Sequence, residues 1–358
     1  MWLLPRTGRR TLTAVRIFRL GDAGPEVGDI QDRLSALGVA IDDAELGGGF
    51  GPSTDAAVRA FQEARSLRVD GLVGPDTWGQ LVEAGYRLGD RTLYLHSPMY
   101  RGDDVSSLQR KLNALGFDAG REDGLFGPNT DRAIREFQRN VGEERDGIVG
   151  LHTIATLERM RPDETRPSRA MVRESEELQQ LRASGRGQVI AIDVAADPTD
   201  PGYLVAHAIA EAVTDHMASM GWKPATLGTD PGAGTPASER AREANDLGAS
   251  MCVSLHLASG LPEAAGPTCS YFGSASTHSP AGVLLAQLIL DELEAAMGVR
   301  GRLQRLTGSM LRETRMPAVQ VEPAFITNEA EAAQLADPAH RDRVAAAIAS
   351  GIRRFFIE

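Results

Sequence analysis

The sequence predicts a multidomain protein: two small all-α units of three helices each, followed by an α/β domain with a mostly parallel sheet. Three observations carry this. A segment near the N-terminus recurs farther along with the same residues at the same spacing, a stretch rich in Pro, Arg and Glu follows the second copy, and strand-like and helix-like patterns alternate from Gln188 to the end. A chain of 358 residues has room for two or three domains, and 42% hydrophobic content suffices for their cores.

Residues 1–14 precede any repeat and are expected to be a disordered extension, or the product of a start assigned too early. Their four apolar residues come ahead of the arginines, the reverse of a signal peptide. The first repeat occupies 15–90 and the second 91–160. "GPEVGDIQDRLSALG" (24–38) matches "GDDVSSLQRKLNALG" (102–116), so Val27, Gln31, Leu34 and Leu37 recur as Val105, Gln109, Leu112 and Leu115. Their apolar members share one face of a helix. "FGPSTDAAVRAFQ" (50–62) matches "FGPNTDRAIREFQ" (126–138), and "DGLVGPDTW" (70–78) matches "DGIVGLHTI" (146–154). Each Gly-Pro pair starts a helix, with Ser53-Thr54 or Asn129-Thr130 expected to cap its exposed amides, and each "DG-hydrophobic-VG" makes a tight turn. Phe50, Phe61, Phe126 and Phe137 are assigned to the cores. Trp78 and Tyr86, larger and near the end of the first repeat, are the candidates for stacking on a sugar.

Residues 161–187 form a linker, with one helical segment over 170–183 and charges assigned to a solvated surface. In 188–358, "QVIAID", "SMCVSLHLA", "TCSYFG" and "PAVQVEPAFIT" read as strands. "YLVAHAIAEAVTDHMASMG", "ASERAREANDLG", "AGVLLAQLILDELEAAMG" and "RDRVAAAIASGIRRFF" read as helices. Cys252 and Cys269 fall inside apolar strands and are expected to be core thiols. The net charge of −11 disfavours nucleic acid and anionic membrane as partners and leaves uncharged glycans or proteins. No stretch reaches the roughly 18 apolar residues of a membrane span, and a cytoplasmic location is expected.

Both repeats closely resemble the bacterial peptidoglycan-binding domain found beside cell-wall hydrolases. The resemblance implies a groove for glycan or stem peptide, and two copies would raise avidity for a repeating polymer. "ERAREANDLGASMCVSLHLAS" and "LRETRMPAVQVEPAFITNEAEAAQL" resemble the zinc-dependent N-acetylmuramoyl-L-alanine amidases, and the likeness extends over 188–358. It implies three zinc ligands: a His in Asp-Pro-Gly-His-Gly-Gly after the first strand, a Glu opening the next helix, and a His in Ser-hydrophobic-His. A Glu on a later strand acts as acid or base. Ser254, Leu255 and His256 match the second His motif, and Val321, Glu322 and Phe325 match the catalytic strand.

The first motif is broken. Asp193 is kept, but Val194, Ala195 and Ala196 replace Pro-Gly-His, and Pro201 falls where the ligand Glu belongs. A methyl group and a pyrrolidine ring offer no lone pair, so His256 is the one retained ligand and Glu322 a vestigial catalytic residue. No cofactor is expected, with zinc implied only if substitute ligands exist. Asp197, Asp200 and His207 are the substitutes to weigh, and His207 reads as a helix-surface residue.

The expected protein is a pseudoenzyme that binds peptidoglycan or its precursors and regulates cell-wall synthesis. Its modules together resemble a cytoplasmic actinobacterial regulator of that synthesis. That resemblance implies two partners, the UDP-N-acetylglucosamine carboxyvinyltransferase of precursor synthesis and the lipid-linked precursor flippase. The regulator continues in a phosphorylated tail where this sequence ends in "RRFFIE", so the resemblance leaves phosphorylation control open. An active zinc amidase and a plain muropeptide-binding module are the alternative readings.

Overall fold

The computed structural model describes residues 16–160, 169–183, 188–194, 202–228, 235–274 and 277–357. The extension expected over 1–14 lies outside them. The first repeat contains α1 (Pro25–Ala36), α2 (Pro52–Ala64) and α3 (Pro75–Glu83), and the second contains α4 (Asp103–Ala114), α5 (Pro128–Val141) and α6 (Leu151–Arg159). Val27, Ile30, Leu34, Phe50, Val58 and Phe61 fill the first core, and Val105, Leu108, Leu112, Phe126, Ile134 and Phe137 the second.

The recurring glutamines have a structural job. Gln31 donates to the carbonyls of Glu45 and Gly49 and to Thr54 Oγ1, and Gln109 donates to Asp123, the Leu125 carbonyl and Thr130 Oγ1. Gln62 and Gln138 do the same for the tight turns, bonding Asp70 and Asp146 and accepting from the amides of Gly71 and Gly147. All four are buried, and each ties polar groups of its loop to a helix through direct hydrogen bonds.

The capping differs from expectation. Gly51 and Gly127 stand at the caps of α2 and α5 without a side-chain bond, and Pro52 and Pro128 occupy the first turn, where no amide is needed. In the first repeat the carboxylate of Glu45, from the preceding loop, accepts from the Ser53 and Thr54 amides at 2.8 Å each.

Helix α7 (Arg169–Ala183) lies within the expected linker, and its charges are not all solvated. Arg173 pairs with Asp118 at 2.8 Å and Glu174 with Arg121 at 3.1 Å, both on the second repeat. Leu178 and Leu181 pack against the core of the C-terminal domain.

That domain holds β1 (Val189–Val194), α8 (Tyr203–Ser219), β2 (Lys223–Thr226), α9 (Ala237–Asp246), β3 (Met251–Leu255), β4 (Thr268–Phe272) and α10 (Pro280–Met297). It continues with β5 (Arg302–Leu306), α11 (Ser309–Glu313), β6 (Ala318–Glu322), α12 (Glu329–Ala336) and α13 (Pro338–Ile357). The strand order is β2-β1-β3-β6-β4-β5, with only the β4–β6 pairing antiparallel. Ile192, Val253, Val319 and Val321 turn to the face covered by α8, α10 and α13, while Ala191, Cys252 and Ala318 turn to the face carrying α9 and α11.

The first repeat is fastened to the α11 side of this domain. Arg312 donates to both oxygens of Glu83 at 2.7 and 2.8 Å in a buried fork, Ser309 Oγ donates to Asp76 at 2.5 Å, and Thr307 bonds the Arg65 and Ser66 carbonyls. Arg101 of the second repeat forks onto Glu313.

Replacing the buried Phe137 by Ala should cost about 3–5 kcal/mol, against less than about 0.5 kcal/mol for Leu151→Ala, whose side chain is 76% exposed. Chemical denaturation of the two variants checks this, and equal losses would contradict the assigned core.

Candidate functional site

The strand register builds the site. Asp193 stands beside Ser254, Ser254 beside Gln320, and Gln320 beside Ser270, giving a polar row across β1, β3, β6 and β4 on the α9 face. Two residues farther along, His256 follows β3 and Glu322 ends β6. The His256 amide bonds the Val321 carbonyl at 3.0 Å, which continues the ladder and sets the two side chains on adjacent strand ends. This is the carboxyl edge of the parallel strands, where ligands gather in open α/β sheets.

A relay fixes the histidine. Arg240 of α9 donates to Asp193 Oδ1 at 2.6 Å, the Ser254 hydroxyl donates to Asp193 Oδ2 at 2.5 Å, and Ser254 Oγ lies 2.9 Å from His256 Nε2. Because the Ser254 proton is engaged by Asp193, Nε2 of a neutral His256 carries the hydrogen and donates it. Burial pushes the Asp193 carboxyl upward, opposed by Arg240 and Ser254. Burial also lowers His256 from 6.5 to about 3, with Arg68 and Arg240 adding repulsion.

Glu322 is buried, and burial raises its pKa, opposed first by Arg68 and then by Gln320. Arg68 belongs to the first repeat, and its Nη2 stands 3.0 Å from Glu322 Oε1.

The sequence-predicted residues divide three ways. His256 and Glu322 meet at neighbouring strand ends. Ala196, Pro201, Asp197 and Asp200 lie outside the described residues. His207 is partly exposed on α8 and sits 3.5 Å from Glu211. Trp78 and Tyr86 are only partly exposed, and each has an arginine over its ring: Arg33 at 5.1 Å from the Trp78 centroid and Arg91 at 3.7 Å from that of Tyr86. A sugar stacking on either of those faces would have to displace a guanidinium. Sequence reasoning missed Arg68 and Arg240. "ERARE" marked a helix but not which arginine turns inward, and nothing near Arg68 signals a partner on another domain. It also missed the ring cluster of Tyr94, His96 and Tyr100 at the entry to the second repeat.

Among the described residues the donor set does not complete a zinc site: no three His, Cys, Asp or Glu are grouped to hold a metal. His256 Nε2 faces a hydroxyl, and the neighbouring carboxylate faces a guanidinium that would repel a divalent ion.

The depressed His256 has a pH signature. The unfolded chain binds a proton near pH 6.5 that the folded chain refuses until about pH 3, so this contribution is fully present above 6.5 and lost as pH falls through that window. Between about pH 6.5 and 5.5 the wild type should lose about 1 kcal/mol more stability than His256→Gln. Denaturation at several pH values measures this, and equal slopes would mean that the ring is open to water.

Comparison with known proteins follows the same division. Residues 190–354 match the N-acetylmuramoyl-L-alanine amidase family model, and residues 23–81 and 101–157 each match the peptidoglycan binding domain. The N-acetylmuramoyl-L-alanine amidase CwlM of Mycobacterium tuberculosis is 35% identical over 95% of this chain and 89% of its own length. The N-acetylmuramoyl-L-alanine amidase CwlL of Bacillus licheniformis is 32% identical over 42% of this chain and 48% of its own length. The crystal structure of the amidase Ami1 from Mycobacterium smegmatis is 23% identical, covers 48% of this chain and 97% of that one, and superposes with a TM-score of 0.42. With 35% identity sustained over nearly its full length, the chain belongs to the N-acetylmuramoyl-L-alanine amidase family, with tandem peptidoglycan binding domains ahead of the amidase domain.

Proposed function

We propose that this protein is a catalytically impaired member of its family, which binds peptidoglycan or its precursors and regulates cell-wall synthesis through protein partners. The observation that carries the reading is the state of the two retained site residues. His256 is tied to Ser254 and Asp193, and Glu322 is held by Arg68. A catalytic zinc needs three protein ligands and an open position for water, and the general base must face that water. The residues at the other two ligand positions, Ala196 and Pro201, have no donor atom to offer.

The repeats supply the binding half of the proposal, with muropeptides or lipid-linked precursors as ligands. By the resemblance set out above, the protein partners are the carboxyvinyltransferase of precursor synthesis or the precursor flippase. A cytoplasmic site of action fits the same reading, and among the described residues no helix is long and apolar enough to cross a membrane. The second reading, an active zinc amidase, draws on the placement of His256 and Glu322 at adjacent strand ends.

Metal content separates the two. The purified full chain should carry far less than one zinc and release no peptide from muropeptides. Ala196→His combined with Pro201→Glu should raise zinc affinity, with activity lagging because Glu322 must also leave Arg68. One tightly bound zinc in the unmodified protein, with cleavage abolished by His256→Ala, would establish the active enzyme instead.

A further inference from the structure

We infer that the first peptidoglycan-binding repeat is a lid over Glu322 in the amidase-like site, and that Arg68 supplies from within the chain the positive charge beside this carboxylate. The ion contact of 3.0 Å lacks hydrogen-bond geometry and adds to the hydrogen bonds from Thr307, Ser309 and Arg312 that hold this repeat against the C-terminal domain. Helix α2 ends in a closed turn in which the Leu67 amide bonds the Gln62 carbonyl at 2.8 Å, with Ser66 at φ 53. Among the described residues Ser66 is the one non-glycine with positive φ. The matching turn of the second repeat uses Gly142 at φ 78, the residue that this conformation favours. The strained Ser66 is also a docking residue, because its carbonyl accepts from the Thr307 amide at 2.8 Å while Thr307 Oγ1 donates to the Arg65 carbonyl at 2.7 Å.

Comparing the two copies position by position shows that only the first is made for this. Arg68, which meets Glu322, corresponds to Glu144; Asp76, which accepts from Ser309, corresponds to His152; and Glu83, which forks with Arg312, corresponds to Arg159. Two of the three charges are reversed and the third is lost. Glu144, His152 and Arg159 are exposed on the second repeat. A duplicated unit needs neither set of charges for its own core, so the set on the first repeat answers to the surface it covers. With Arg68 in place, a carboxylate almost removed from water keeps a cation at contact distance. Without it, the carboxylate would be buried and uncompensated.

The inference concerns what covers Glu322 and deepens the proposed function. Its test is separate from the zinc measurement, since a lid can close over a site with or without a metal. Full-length protein is treated with a water-soluble carbodiimide and glycinamide, and labelling of Glu322 is followed by peptide mass spectrometry. Arg68→Glu installs the residue of the second repeat, and Glu83→Arg sets two guanidiniums against each other at the far fastening without touching Arg68. Both positions lie on the face of the first repeat outside its apolar core. Glu322 should be protected in the wild type and labelled at least about tenfold faster in both variants. Equal labelling in all three proteins, fast or slow, overturns the lid. A rise confined to Glu83→Arg overturns the role given to Arg68.

Discussion

A carboxylate taken out of water must be met by a cation or by hydrogen-bond donors, and where a cation meets it the pairing decides how the molecule is assembled. Asp193, in the middle of the sheet, is met by Arg240 and thereby ties α9 to β1. Glu83, at the end of a repeat helix, is met by Arg312 and ties the first repeat to α11. Glu322, at the carboxyl edge, is met by Arg68 from a loop of that repeat. In each case the guanidinium comes from a different element, so the pairing acts as a fastening. The orientation of the repeats over the C-terminal domain follows from where these charges sit.

The site inherits its chemistry from the same pairs. Asp193 and Ser254 orient His256, while Arg68 and Arg240 contribute to keeping that ring neutral. The site is therefore an internally satisfied polar network with most of its donors and acceptors directed at one another. Ser270 Oγ and Glu322 Oε1 are exceptions, both buried without a hydrogen-bond partner, and Glu322 Oε1 is met by Arg68 as an ion contact only. A network of this kind stabilises one arrangement of the strand ends, which is a different task from presenting ligands to an incoming ion or substrate.

Much of this was legible in the sequence wherever the signal was local. The internal duplication gave the three-helix units, and the central strands were visible as apolar runs because they are covered on both faces. The edge strands were not. Strand β2 is "KPAT", which contains a proline, and β5 is "RLQRL", mostly exposed, so neither carries the apolar pattern by which a strand is recognised. The ligand positions could be aligned by motif, whereas Arg68 and Arg240 could not, because an ion pair between distant segments leaves no periodicity in either. The recurrence of Gln31 and Gln62 as Gln109 and Gln138 was plain in the sequence, and only the structure explains it as loop stapling.

The strand order also settles the behaviour of the two sulfur atoms. Cys252 lies on β3 and Cys269 on β4, and β6 runs between them. Two strand spacings alone put their backbones at least about 9–10 Å apart, and the side chains enter opposite faces of the sheet, beyond the reach of an S–S bond without moving it. Burial also holds both thiols far from ionising, so neither forms a nucleophilic thiolate readily. The architecture is accordingly indifferent to redox poise: an oxidant would find no pair to link, and a reductant no bond to cut.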